Sequence, residues 1–183
     1  KGCPHDCGLC SDHIRQTCCV LLEVTSRCNL TCPVCFASAN EGERVEPDLA
    51  KIRSHYKMLM ASGGPYNIQL SGGEPTLRDD LPDIIKIGKE EGFTFFQLNT
   101  NGLRLAHDPE YLMKLRDAGL NCVFLQFDGL TETPYRILRG KDLLRIKLKA
   151  IDNCKAANVG VVLVPTVVRG VNDGEMGDLI RFA

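Results

Sequence analysis

Two cysteine triplets share one spacing: Cys3, Cys7 and Cys10, then Cys28, Cys32 and Cys35, each written C-x3-C-x2-C. Thiolates are the usual ligands of iron–sulfur clusters, and three in a tight loop can converge on one cluster. Three leave one iron of a four-iron cluster with no nearby protein ligand, an open position where a substrate or cofactor can bind. A lone triplet is also compatible with zinc, which thiolates serve equally well. For the N-terminal triplet, Cys18 would complete a closed four-thiolate site, with Cys19 and His13 as competing fourth ligands. Cys18 and Cys19 face opposite ways if the chain there is already extended.

Four short polar stretches need positioning: 27–35, 71–76, 99–102 and 126–129. Each follows an apolar run. Residue patterns predict strands over 19–25, 67–71, 94–100, 121–128 and 160–168, and helices over 48–62, 81–91, 109–118, 142–158 and 175–183. Five successive βα units argue for a parallel sheet with helices outside. Right-handed crossovers curl such a sheet toward a barrel or a doubly wound arrangement, and in both the site lies at the carboxyl ends of the strands. The polar stretches fall at those ends. Cys122 and Cys154, isolated on a strand and a helix, read as buried small hydrophobes.

With 183 residues the chain is long enough for one domain with a core. A net charge of −1 offers no electrostatic footprint for nucleic acid or anionic membrane. No apolar run reaches transmembrane length and no export signal opens the chain. Ten cysteines could form a secreted disulfide framework, but seven lie within the first 32 residues at ligand-like spacings, which favours a reducing cytoplasm. The chain opens on Lys1 and stops at Ala183 inside a predicted helix, so it reads as a piece of a longer protein.

Residues 27–35, RCNLTCPVC, resemble the cluster-binding loop of the radical S-adenosylmethionine (SAM) superfamily. Ser71-Gly72-Gly73-Glu74-Pro75 resembles that family's second motif. Asn99-Thr100-Asn101-Gly102 and Phe127-Asp128-Gly129 resemble its third- and fourth-strand motifs. The resemblance implies an α/β fold, a partial (β/α)6 TIM-like barrel over 19–183 with its sixth strand beyond Ala183, preceded by a cysteine-rich segment over 1–18. It implies that Cys28, Cys32 and Cys35 hold three irons of a 4Fe–4S cluster and that SAM chelates the fourth. Glu74 would accept hydrogen bonds from the SAM amine, Gly72 and Gly73 would let backbone approach it, and Asn101 would border the cofactor. Gln126 and Asp128 would face the SAM ribose or substrate, although Asp128-Gly129 also reads as a plain turn. Arg139 would pair with the SAM carboxylate, or else be a solvated arginine. Val34 stands where the family usually places an aromatic beside the adenine, and Phe36 follows the last cysteine.

When reduced, such a cluster cleaves SAM to a 5′-deoxyadenosyl radical that abstracts hydrogen from carbon. Cys3, Cys7, Cys10 and Cys18 would hold a second, auxiliary 4Fe–4S cluster, with a zinc knuckle as the alternative. The N-terminal stretch is similar to a subgroup of tetraether lipid synthases and pterin-methylating proteins. The leading expectation is lipid-chain carbon–carbon coupling. The alternatives are a radical methyltransferase acting on a pterin, a molybdopterin-type or peptide-modifying cyclase, and a non-catalytic metal-binding module. Implied partners are a small-molecule or lipid substrate and an electron donor such as flavodoxin or ferredoxin. A lipid substrate would bring a cytoplasmic protein to the membrane.

Overall fold

Period-two alternation in β1 (Cys19–Thr25) separates buried Leu22 and Val24 from exposed Leu21 and Glu23. The same division runs through β2 (Asn67–Gly72), β3 (Phe96–Thr100), β4 (Cys122–Gln126) and β5 (Gly160–Val164). A computed structural model of the chain describes residues 17–39, 42 and 45–183. Its five strands form one sheet, all parallel, in the order β1-β2-β3-β4-β5. Ile68, Leu70, Phe96, Leu98, Val123 and Leu125 project from one face into a single apolar core. Helices α1 (Leu49–Ala61), α2 (Leu81–Glu90), α4 (Pro109–Ala118) and α6 (Leu144–Ala156) contribute to that core. The opposite face of the sheet stays open along much of its length.

Helix ends follow local chemistry. Asp48 caps α1 by accepting from the Lys51 N–H at 2.7 Å, and Asp108 caps α4 through the Tyr111 N–H at 2.9 Å. Pro109 opens α4 and left-handed Gly119 closes it. The structure adds two short helices that the patterns do not predict: α3 (Leu103–His107) and α5 (Glu132–Arg139). Gly129, Pro134 and Gly140 make the second stretch look like loop, yet Pro134 lies in the first turn, where no N–H is needed. The last helix, α7, runs Met176–Phe182. Strands β4 and β5 end earlier than predicted, at Gln126 and Val164; beyond them Phe127 enters the core, Asp128 is buried and Thr166 borders the cavity described below.

Candidate cluster and cofactor site

The take-off of the cysteine loop is held rigidly. Glu46 accepts from Thr25 Oγ1 at 2.7 Å and from Arg27 Nε and Nη2 at 2.6 and 2.9 Å. Within the loop, Leu30 is 4% exposed and packs on Tyr135 of α5 and on Leu143, with Cys28 and Cys32 against the same small cluster. Cys28 and Cys32 are half-buried and Cys35 exposed, and none of the three is in a disulfide. They line one cavity of about 230 Å3, shared with Gly72, Gly73, Glu74, Asn101, Gln126 and Arg139. The Cys28 thiol is pushed up by burial and then by the negative charges of Glu74, Cys32 and Cys35 around it.

Glycines 72 and 73, which line the cavity, also let two stretches of backbone pass close to each other. Gly72 has φ +130°, and a Cβ there would lie 2.0 Å from the Thr25 carbonyl oxygen; at Gly73 it would lie 2.2 Å from that of Arg27. The atoms in the way are the root of the cysteine loop. That close approach lets Gly73 N–H donate to Thr25 O and Glu74 N–H to Arg27 O, both at 2.7 Å.

Glu74 is 1% exposed. Its Oε1 accepts from Thr76 N–H, Thr76 Oγ1 and Thr100 Oγ1 at 3.1, 2.6 and 2.7 Å, and its Oε2 from the Asn101 N–H at 2.7 Å. Oε1 is therefore saturated, while Oε2 keeps one acceptor site. Asn101 is a hub: its Nδ2 donates to Asn29 Oδ1 at 2.7 Å, which ties β3 to the cysteine loop.

Arg139 corrects the expectation of a solvated arginine at the start of the long helix. It ends α5 and is 4% exposed. Its Nε and Nη2 each donate to Asp128 at 2.8 Å, Nη2 also reaches Thr166 Oγ1 at 2.8 Å, and Nη1 reaches the Val34 carbonyl at 3.4 Å. Burial alone would lower its pKa, but the Asp128 carboxylate outweighs that and holds it above the ordinary value. Asp128 is fully buried and also accepts from the Thr166 N–H at 3.0 Å, so it is more than a turn residue. Gln126 lines the cavity, whereas Asp128 reaches it through Arg139. Val34 lines the same cavity, and Phe36, 83% exposed, stands at its mouth.

Lys147 is absent from the residues singled out above. It is fully buried, and its Nζ donates to the Asn101 carbonyl at 2.5 Å and to Gln126 Oε1 at 3.1 Å. Burial pulls its pKa down to about 8, against the raising influence of Asp128, Glu74 and Cys32. A signal existed: it lies four residues after Leu143 and three before Ala150, on the inward stripe of α6.

Cys3, Cys7 and Cys10 lie outside the described residues. Cys18 is exposed at the start of β1, where its carbonyl accepts from the Asn67 N–H at 3.2 Å. That is the opposite end of the strand from the second triplet. Of the two cysteines expected to be buried, Cys154 is fully buried and Cys122 half-buried.

The donor set suits a cluster. Among the described residues no three His, Cys, Asp or Glu side chains gather closely enough to hold a single metal ion. A four-iron cluster instead asks each thiolate for its own iron, and Cys28, Cys32 and Cys35 all line the one cavity, a donor set compatible with that demand. The remaining wall supplies backbone amides, amide side chains and an arginine, which are groups that bind a charged, nucleoside-like cofactor.

A parallel βα sheet with a three-cysteine loop after its first strand defines a class built to carry a redox cluster beside a small cofactor. The radical SAM superfamily profile matches residues 22–183, and the chain belongs to that family, whose members use SAM and a 4Fe–4S cluster. The chain is 51% identical, over its whole length, to 37% of a 7,8-dihydro-6-hydroxymethylpterin dimethyltransferase of Methanocaldococcus jannaschii. It is 33% identical over 93% of its length to a probable GTP 3′,8-cyclase of Methanothermobacter marburgensis, covering 55% of that protein. The chain thus spans well under two thirds of these relatives. Among solved structures it resembles Streptococcus suis SuiB with S-adenosylmethionine (TM-score 0.71, 18% identity, 91% of this chain and 37% of that one). It also resembles methylornithine synthase PylB (TM-score 0.65, 22% identity, 86% and 46%). At these identities the structures show the shared fold.

Proposed function

We propose that this chain is the cluster-bearing core of a radical SAM enzyme that methylates a pterin. The observation that carries the enzymatic reading is the meeting of three cysteines outside any disulfide with the 71–75, 99–102 and 126–129 motifs around one cavity. Cys28, Cys32 and Cys35 would hold the cluster, with SAM seated between it and the strand ends. When bound, the group supplies the one-electron cleavage of SAM and the hydrogen abstraction that follows. The protein's own residues set the geometry. Glu74 Oε2 offers one free acceptor site to the SAM amine, and Gln126, held by Lys147, faces the same space. Arg139 is committed to Asp128, which makes it a wall that fixes Val34 and Thr166 as much as a partner for the SAM carboxylate.

The substrate class rests on the 51% identity with the pterin dimethyltransferase. Lipid-chain coupling draws no support from the relatives above. No helix among the described residues is long and apolar enough to cross a membrane. The auxiliary cluster stays a proposal on Cys3, Cys7, Cys10 and Cys18. With Cys18 as its ligand it would sit near the far end of β1, about 23 Å along the strand from the loop at 3.3 Å per residue.

The test is anaerobic incubation of the reconstituted full-length protein with SAM, a strong reductant and 7,8-dihydro-6-hydroxymethylpterin, followed by mass spectrometry. A pterin gaining methyl groups supports the reading. S-adenosylhomocysteine formed in step identifies SAM as the methyl donor, and its absence identifies a separate donor. An unmodified pterin alongside active SAM cleavage would overturn the substrate assignment.

A further inference from the structure

We propose that the open face of the sheet reads the edge of the substrate ring, through a row of polar side chains running from β1 to β3 beside the Phe124 ring of β4. This rests on the pterin reading above and adds the groups that select the ring. Register places Glu23 beside Ser71, and Gln69 beside Gln97. Asn99, two residues beyond Gln97, follows it on the same face and pairs in register with Phe124. Ser71, Asn99 and Phe124 line the cavity that holds the three cysteines, while Gln69 and Gln97 lie one step deeper along the face.

Most of the hydrogen-bonding capacity of this row is unspent. Asn99 Nδ2 makes one long contact, 3.4 Å, to Ser71 Oγ, and Gln97 Oε1 meets only the weak Cys19 thiol donor at 3.9 Å. Among the described residues the Gln69 amide and the Glu23 carboxylate have no side-chain partner. Side-chain amides offer adjacent donor and acceptor atoms in one plane, which matches a lactam edge and its neighbouring ring nitrogen. A carboxylate accepts in parallel from an exocyclic amine and a ring N–H. Two strand spacings separate Glu23 from Asn99, about 10 Å, the reach of a fused bicyclic ring with its substituents. Phe124, one strand further, offers an apolar face against which a flat ring can stack. An alkyl chain laid on the same wall would strip water from these amides and give nothing in return.

The class selected is therefore a planar, fused heterocycle with an amine–lactam edge. The experiment is an equilibrium titration of anaerobically reconstituted full-length protein with 7,8-dihydro-6-hydroxymethylpterin and with its 2-oxo analogue, in which oxygen replaces the exocyclic amine. Wild type is compared with Asn99→Leu, Gln97→Leu and Glu23→Gln, and each variant is checked for iron content and circular dichroism. Asn99→Leu and Gln97→Leu are expected to weaken pterin binding about tenfold each, the equivalent of one lost hydrogen bond to a buried partner. Glu23→Gln, at an exposed position that tolerates the change, is expected to erase the preference for the amine over the oxo compound. Pterin affinities within about twofold of wild type in all three variants, with that preference intact, would overturn the inference and leave the pterin reading standing. A wild type that binds no pterin but binds an alkyl chain would overturn both.

Discussion

Glu74 and Lys147 are the two buried charges whose surroundings were least evident from residue type alone. Glu74 binds the end of β2 to the end of β3 with four hydrogen bonds to one carboxylate. Replacing it with Gln puts an NH2 against an N–H or a hydroxyl, so Glu74→Gln should cost about 2–3 kcal/mol in chemical denaturation as well as weaken SAM binding. Lys147 titrates in the folded chain at about 8, against an ordinary 10.5. Below pH 8 both folded and unfolded chains carry its proton and the burial penalty is constant. Between the two values only the unfolded chain holds it, so stability rises with pH there. A depression of this size corresponds to about 3 kcal/mol. Wild type should therefore gain about that much relative to Lys147→Met when unfolding free energies are compared from pH 8 to 10.5. A constant difference across that range would show that Lys147 stays charged in the fold.

At the scale of elements, the cysteine loop depends on Leu30, which plugs it into the cluster of Tyr135 and Leu143. Leu30→Ala should cost about 2–5 kcal/mol and lower the iron bound per chain, measured after anaerobic reconstitution. The five strands and five of the helices were legible because their apolar periods and caps agree: α4 runs Pro109–Ala118, as its Pro109 start and Gly119 stop indicate. Helix α5 was not legible, since Pro134 and its flanking glycines imitate a loop and the residues that bury Tyr135 and Leu138 are distant in sequence. The cysteine loop could be read from spacing. Its anchoring could not, because Glu46 and Tyr135 approach only through tertiary contact.

For the molecule as a whole, the Asp128–Arg139 pair joins the end of β4, α5, the cysteine loop and the chain beyond β5 in one buried knot. Asp128→Asn leaves the buried guanidinium without its counter-charge and should cost about 3–5 kcal/mol in equilibrium unfolding, with loss of the cofactor site. The motif residues showed from sequence where the site would lie. Asp128, Arg139 and Lys147 show how it is held: the residues could be picked out in the sequence, but their pairing with one another and with the Asn101 carbonyl could not, because those contacts are made in three dimensions. The central claim is that Cys28, Cys32 and Cys35 carry a cluster that activates SAM. It is tested most directly by measuring 5′-deoxyadenosine released from SAM by the anaerobically reconstituted full-length protein with a strong reductant, in wild type and Cys32→Ala. Release by wild type that disappears in the variant is the expected result. No release from wild-type protein with a full complement of iron and sulfide would contradict it.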